Sequence, residues 1–378
     1  MKVKRTKVRY KRNAKTKKAV VTVLIVAALL SVGLFLSGVI GRLLDTDEPT
    51  ISGNSSTASQ TISSVPSAPD IPASSAESQP AAPQTVKAVS PDRSSLTDLI
   101  ALEAFCGTAK ANGATAIVID VKDTEGHLLY KNVGVSTSRA AVYAHLSTRD
   151  DADLAYTVYS DLTPLVNVIH NAGLQAVARL NCFNDAYSGK SIAGSRCVVS
   201  GGTTWIDDSP ANGGRSWLNP YAESAQLFNL DIAADCQRFG FDVLIADYVQ
   251  FPVGYSLGRI DYGEAALTLT KAQALSTFLD RLTAQTSMPV WLTVRTNAQG
   301  SQEFAGHPFN YAPNSLAGFV AVLNAPENPR KNTVVPMDDA QLSAALAALP
   351  TDRDVIPCVI TDTPSAVLTQ QQNYVIMK

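Results

Sequence analysis

Three aspartates close apolar runs in this chain. Asp120 ends Thr115-Ala-Ile-Val-Ile-Asp120, Asp123 follows it by three residues, and Asp247 ends Val243-Leu-Ile-Ala-Asp247. Carboxylates carried on separate strands to one mouth suit cleavage of a glycosidic bond. One carboxyl donates a proton while the other attacks carbon or activates water. Asp247 is the leading catalytic candidate because Tyr248, Phe251 and Pro252 follow it. Asp120 and Asp123 are the candidate partners. Each of the three has a plainer reading, in which it caps the following helix or pairs with a neighbouring cation, as Asp123 could with Lys122.

Arg179 and Asn181 end the intervening run Leu174–Asn181. Arg179 would orient a substrate, or hold Asp120 or Asp247 ionised. The segment from Asn181 to Asn219 is too long for a plain connection, which points to a functional loop. It carries Trp205 and Trp217. With Tyr248 and Tyr255 these rings offer flat apolar faces for pyranose stacking, unless they close over a core instead. Trp291, inside a strand pattern, reads as core.

Other chemistries lack their residues. The four histidines, at 127, 145, 170 and 307, show no H-E-x-x-H spacing and no Cys/His cluster, so no metal is expected. Neither G-x-G-x-x-G nor a phosphate-binding P-loop follows the first strand. No cofactor is expected.

The elements that must position these residues repeat. A helical pattern opens at Ser95, with Asp98 as a capping-box partner, and stops at Gly113 before the strand ending in Asp120. A second runs from Asp161 to Gly173 before Leu174–Leu180. A third opens on Asn219-Pro220 as N-cap and first turn, and stops at Gly240 before Val243–Asp247. Further units are expected as a helix over 264–286 into Val290–Val294, a strand near Gly318–Leu323, and a helix over 338–349 into Asp354–Ile360. A first strand near Val86–Val89 and a weak eighth at Tyr374–Met377 complete the set. Continuous apolar strands alternating with helices predict an α/β fold with a parallel sheet, here a TIM (β/α)8-type barrel over residues 86–378. A doubly wound open sheet is the rival.

Upstream the texture differs. Ten of the 31 Lys and Arg lie in residues 1–18 with no acid, leaving 21 cations against 33 acids, net −12, over the rest. Such an acidic body argues against nucleic acid as a partner. Residues 19–41 hold no charged side chain, and 23 helical residues reach roughly 34 Å, enough to cross a bilayer core. The expectation is a basic cytoplasmic tail (1–18), one transmembrane helix (19–41) and a Ser/Pro/Ala-rich flexible linker (42–85). The C-terminal domain then lies outside the cell membrane. A cleaved signal peptide is the competing reading. Of five cysteines, Cys182 and Cys197 are the pair most suited to a disulfide; Cys106, Cys236 and Cys358 read as core.

The motifs Ala116–Asp123, Ala178-Arg-Leu180, Trp217-Leu-Asn-Pro-Tyr221 and Gly240-Phe-Asp242, leading to Ala246-Asp-Tyr-Val-Gln-Phe-Pro252, resemble the DUF4015 type of glycoside hydrolase-like domain. The resemblance spans about residues 86–360 and implies a TIM barrel related to glycoside hydrolases. Gln250 stands where such relatives usually have Arg, and the fifth strand ends Val294-Arg-Thr-Asn297 without a carboxylate, Glu303 coming only later. The expected activity is hydrolysis of a cell-surface or environmental polysaccharide. A non-catalytic glycan-binding barrel and an envelope scaffold are the alternatives.

Overall fold

The apolar runs form the strands of one closed barrel. The computed structural model describes residues 85–131, 159–295, 315–325, 334, 336–352 and 354–378. The expected spanning segment, and the linker up to residue 84, lie outside them. Among the described residues no helix is long and apolar enough to cross a membrane.

The strands are β1 (Lys87–Val89), β2 (Ala116–Lys122), β3 (Gln175–Asn181), β4 (Val243–Asp247), β5 (Val290–Arg295), β6 (Gly318–Val322), β7 (Val355–Ile360) and β8 (Tyr374–Met377). Every neighbouring pair is parallel, and β8 returns to pair with β1, so spatial order follows chain order around the barrel. Helices α1 (Leu99–Ala111), α2 (Thr163–Asn171), α3 (Glu223–Phe239), α4 (Lys271–Gln285) and α5 (Asp339–Ala347) connect successive strands. This is the (β/α)8 arrangement, and it excludes the open doubly wound sheet.

Two cores follow from strand alternation. Ala88, Ala116, Val118, Val177, Ile245, Val320, Val322, Ile356, Cys358, Val375 and Met377 fill the barrel interior. The outward set packs against the helices; on α4, Leu275, Phe278, Leu279 and Leu282 recur at helical spacing and are all buried. Burying each such side chain contributes about 1.5–3 kcal/mol. Gly113, Gly173 and Gly240 follow α1, α2 and α3 with φ of 85°, 71° and 92°, the left-handed stop their positions require.

Helix starts differ from the sequence reading. Helix α1 begins at Leu99 because Asp98 is itself the N-cap, accepting from the Ala101 amide; Ser95 belongs to a separate 3-10 turn capped by Asp92. Asn219 and Pro220 form a turn ahead of α3, with the Asn219 side chain accepting from the Tyr221 amide, and the helix starts at Glu223. The expected helix over 264–286 is broken at Leu269, since the Thr270–Gln273 capping box starts α4 afresh. The expected disulfide is absent. Cys182 and Cys197 are free and buried, and their thiols face different carbonyls, those of Leu180 and Leu218.

Candidate active site

Strand alternation carries the polar residues inward at one end of the barrel. Val118, Val177 and Ile245 lie inside, so Asp120, Arg179 and Asp247, two positions further along each strand, continue the same inward rows. On β5, Trp291 packs at this interior and Arg295 follows four residues later. All four sit at the C-terminal strand ends, the face that carries active sites in (β/α)8 barrels.

They form one connected chain of charge. Arg179 donates from Nη1 to both oxygens of Asp120 at 3.1 Å, and from Nε and Nη2 to Asp247 Oδ2 at 3.0 and 2.7 Å. Arg295 Nη2 holds Asp247 Oδ1 at 2.6 Å, and the Tyr248 amide donates to the same oxygen at 2.7 Å. Tyr248 reaches this position with φ of 50°, a left-handed backbone rare outside glycine, and its ring lies 3.7 Å under the Arg295 guanidinium. The aspartate is therefore fixed at both oxygens.

The two carboxylates sit in opposed environments. Asp247 is fully buried, which alone would push its carboxyl up, but Arg295 and Arg179 outweigh burial and hold it below the usual range. The Asp120 side chain is 36% exposed. The surrounding barrel wall raises its carboxyl, against the pull of Arg179 and with the repulsion of Asp123 and Asp247. Burial would lower the Arg179 guanidinium, yet Asp120 and Asp247 more than offset that and raise it. A pair of carboxyls with separated proton affinities is what acid/base division of labour requires.

Asp123 is turned to another task. Its Oδ1 accepts from the amides of Glu125 and His127, and its Oδ2 lies 3.2 Å from His127 Nδ1, so it closes the turn after β2. It does not pair with Lys122. That lysine is fully buried against α3, donating to Asp185 Oδ2 at 3.0 Å, Asn229 Oδ1 at 2.9 Å and the Cys182 carbonyl at 3.1 Å. Asn181 is also buried; its amide nitrogen donates to the Lys122 carbonyl, while its Oδ1 has no hydrogen-bond partner among the described residues.

The tryptophans expected as stacking platforms are buried. Trp217 is inaccessible, its indole N–H donating to Asp207 Oδ2 at 2.8 Å and its ring edge-on to Tyr248. Trp205 donates to the Tyr255 carbonyl at 3.2 Å. With Cys197 and Tyr248 they form a small core of the loop's own. Of the expected aromatic set only Tyr255, 70% exposed, offers an open ring. This core joins the loop after β3 to the loop after β4. Val198–Val199 pairs antiparallel with Ile260–Asp261, and the Tyr255 amide donates to the Asp207 carbonyl at 2.8 Å.

Sequence reasoning missed Arg295, Asp185 and Asn229. For Arg295 a signal existed in its even spacing from Trp291. Asp185 and Asn229 meet Lys122 from 63 and 107 residues away, and no local pattern marks that. Gln250 is 2% exposed. Glu303 lies outside the described residues. Among the described residues no group of His, Cys, Asp and Glu is placed to hold a metal ion.

The parallel eight-stranded barrel defines the class as a (β/α)8 domain, here with two carboxylates at the C-terminal rim. The chain belongs to the DUF4015 family, whose model, described as "Putative glycosyl hydrolase domain", matches residues 93–295, more than half of the sequence. No curated protein matches the chain.

Among solved structures, a hypothetical protein from Ruminiclostridium thermocellum is similar at 19% identity and a TM-score of 0.43, over 54% of this chain and 96% of that one. The glycoside hydrolase domain of PelA from Pseudomonas aeruginosa is similar at 14% identity and a TM-score of 0.38, over 74% and 85%. A GH20 exo-β-N-acetylglucosaminidase from Vibrio harveyi gives 10% and 0.45, over 74% of this chain and 41% of that one.

Proposed function

We propose that the barrel hydrolyses a glycosidic bond of a cell-surface or environmental polysaccharide, with Asp120 as proton donor and Asp247 as the ionised partner. The observation that carries this reading is the shared guanidinium. Asp120 and Asp247 both bond to Arg179, so they lie a guanidinium's width plus two hydrogen bonds apart. That spacing is compatible with the roughly 5–9.5 Å range of paired glycosidase carboxylates. Family membership and the accessible Asp120, whose carboxyl is shifted upward by burial, support it further.

A second reading has its own support. Asp247 is fully buried with both oxygens occupied, an arrangement that equally suits a fixed anion in a non-catalytic glycan-binding barrel. The full chain in detergent, incubated with a panel of cell-wall and plant oligosaccharides and read by mass spectrometry, separates the two. Cleavage by the wild type, reduced at least about a thousandfold in Asp120→Asn, is expected if that carboxyl is the acid. Saturable binding with no cleavage would install the glycan-binding reading instead.

The same proposal places the barrel outside the cell, tethered by residues 19–41 with the basic tail in the cytoplasm. A tag placed after Lys378 should be removed by protease added to intact cells, and a tag before Met1 should be spared. Equal protection of both tags would refute the tether.

A further inference from the structure

A cavity of about 570 Å³ opens between the turn after β2 and the long loop after β3. Its wall carries Lys190, Arg196 and Arg215 against a single acid, Glu125. Glu125 is ion-paired with Arg215, which leaves a local excess of two positive charges. This excess stands on a chain whose residues after the basic tail sum to net −12 from 21 cations and 33 acids. Like charges gathered in one concave wall repel each other, so the arrangement favours a bound anion.

Arg196 is the distinctive member. It is half-buried, and its side chain makes no hydrogen bond or ion pair among the described residues. Its stem is held rather than loose. A Cβ at residue 189 would lie 2.8 Å from the Arg196 Cβ, so only glycine there lets the two chain segments approach this closely. Lys190 follows that glycine directly, and its ammonium lies 6.0 Å from the Tyr187 ring. Tyr187 also lines the cavity, as do Thr204 and Ser216. A flat ring, hydroxyl-bearing side chains and unneutralised cations together match one acidic sugar, with its ring against Tyr187 and its anionic group at Arg196 and Lys190.

We infer that this cavity is a binding subsite for an anionic saccharide unit, a sugar bearing a carboxylate or phosphate, within the polysaccharide proposed as substrate. The inference rests on that proposal for the polymer but uses different residues, none of which is placed in the carboxylate pair.

The test is isothermal titration of the full chain in detergent at low salt with three probes: a uronic acid oligosaccharide, a neutral oligosaccharide of the same length, and a sugar-phosphate oligomer. At least one acidic probe should bind about tenfold or more tightly than the neutral one, and added salt should erode that preference. In Arg196→Gln with Lys190→Gln the preference should fall at least about fivefold while neutral binding holds, and Arg196→Lys should restore part of it. Which acidic probe responds identifies carboxylate or phosphate. Equal binding of acidic and neutral probes overturns the subsite and leaves the hydrolase reading standing. Failure of every probe to bind overturns both.

Discussion

Replacing Lys122 by methionine is expected to lower the unfolding free energy by about 3–5 kcal/mol, the cost of leaving a buried charge without its partner. Lys122 and Asp185 are both fully inaccessible and meet at 3.0 Å. Methionine fills the volume of the stem but removes all three donors. Asp185 Oδ1 keeps the Tyr187 and Ser188 amides, while Oδ2 loses the ammonium that neutralises it. The Asn229 oxygen and the Cys182 carbonyl lose a donor in the same stroke. Urea unfolding of wild type, Lys122→Met and Lys122→Met with Asp185→Leu provides the check. The double variant should recover part of the loss, because removing both charges removes the desolvation penalty. A loss under about 1 kcal/mol for the single variant would show that water reaches the pair.

Arg179→Met should cost about 3 kcal/mol, less than Lys122→Met, because Asp247 retains Arg295 and Asp120 is partly solvated. The penalty carries a pH signature. The folded Asp247 carboxyl lies below its unfolded value, so its contribution is present above about pH 4 and is lost as pH falls through the folded value. Asp120 is shifted upward and contributes with the opposite sign, disfavouring the fold as pH rises through its folded value; losing Arg179 moves it further in that direction. Both carboxylates therefore need the guanidinium only when ionised. The gap between wild type and Arg179→Met should narrow as pH drops below about 4, measured by denaturant unfolding across that range. A pH-independent gap would show that Arg179 contributes packing of its stem and not charge.

The barrel was legible because its strands are short apolar runs separated by glycine-stopped helices. Even the weak Tyr374–Met377 run pairs with β7 and β1. The rim was legible in part. Asp120, Arg179 and Asp247 announce themselves as polar ends of apolar strands, and they do meet. What failed was the reading of the loops. Trp205 and Trp217 have the composition of a sugar platform, but whether an indole faces solvent depends on partners such as Asp207 and the Tyr255 carbonyl, which only the folded loop supplies. Asp123 shows the same limit. Its position after a strand suits chemistry, yet the turn to His127 uses both its oxygens.

The ladder between Val198–Val199 and Ile260–Asp261 couples the loops after β3 and β4 into one module. In most barrels of this kind each rim loop can be lengthened or exchanged alone, which is how one scaffold comes to serve many substrates. Here an insertion within either ladder segment would shift its register against the other and strain the nearby bond from Trp205 to the Tyr255 carbonyl. Diversification along this side of the rim therefore has to move both segments together, or be confined to side chains that point away from the shared ladder.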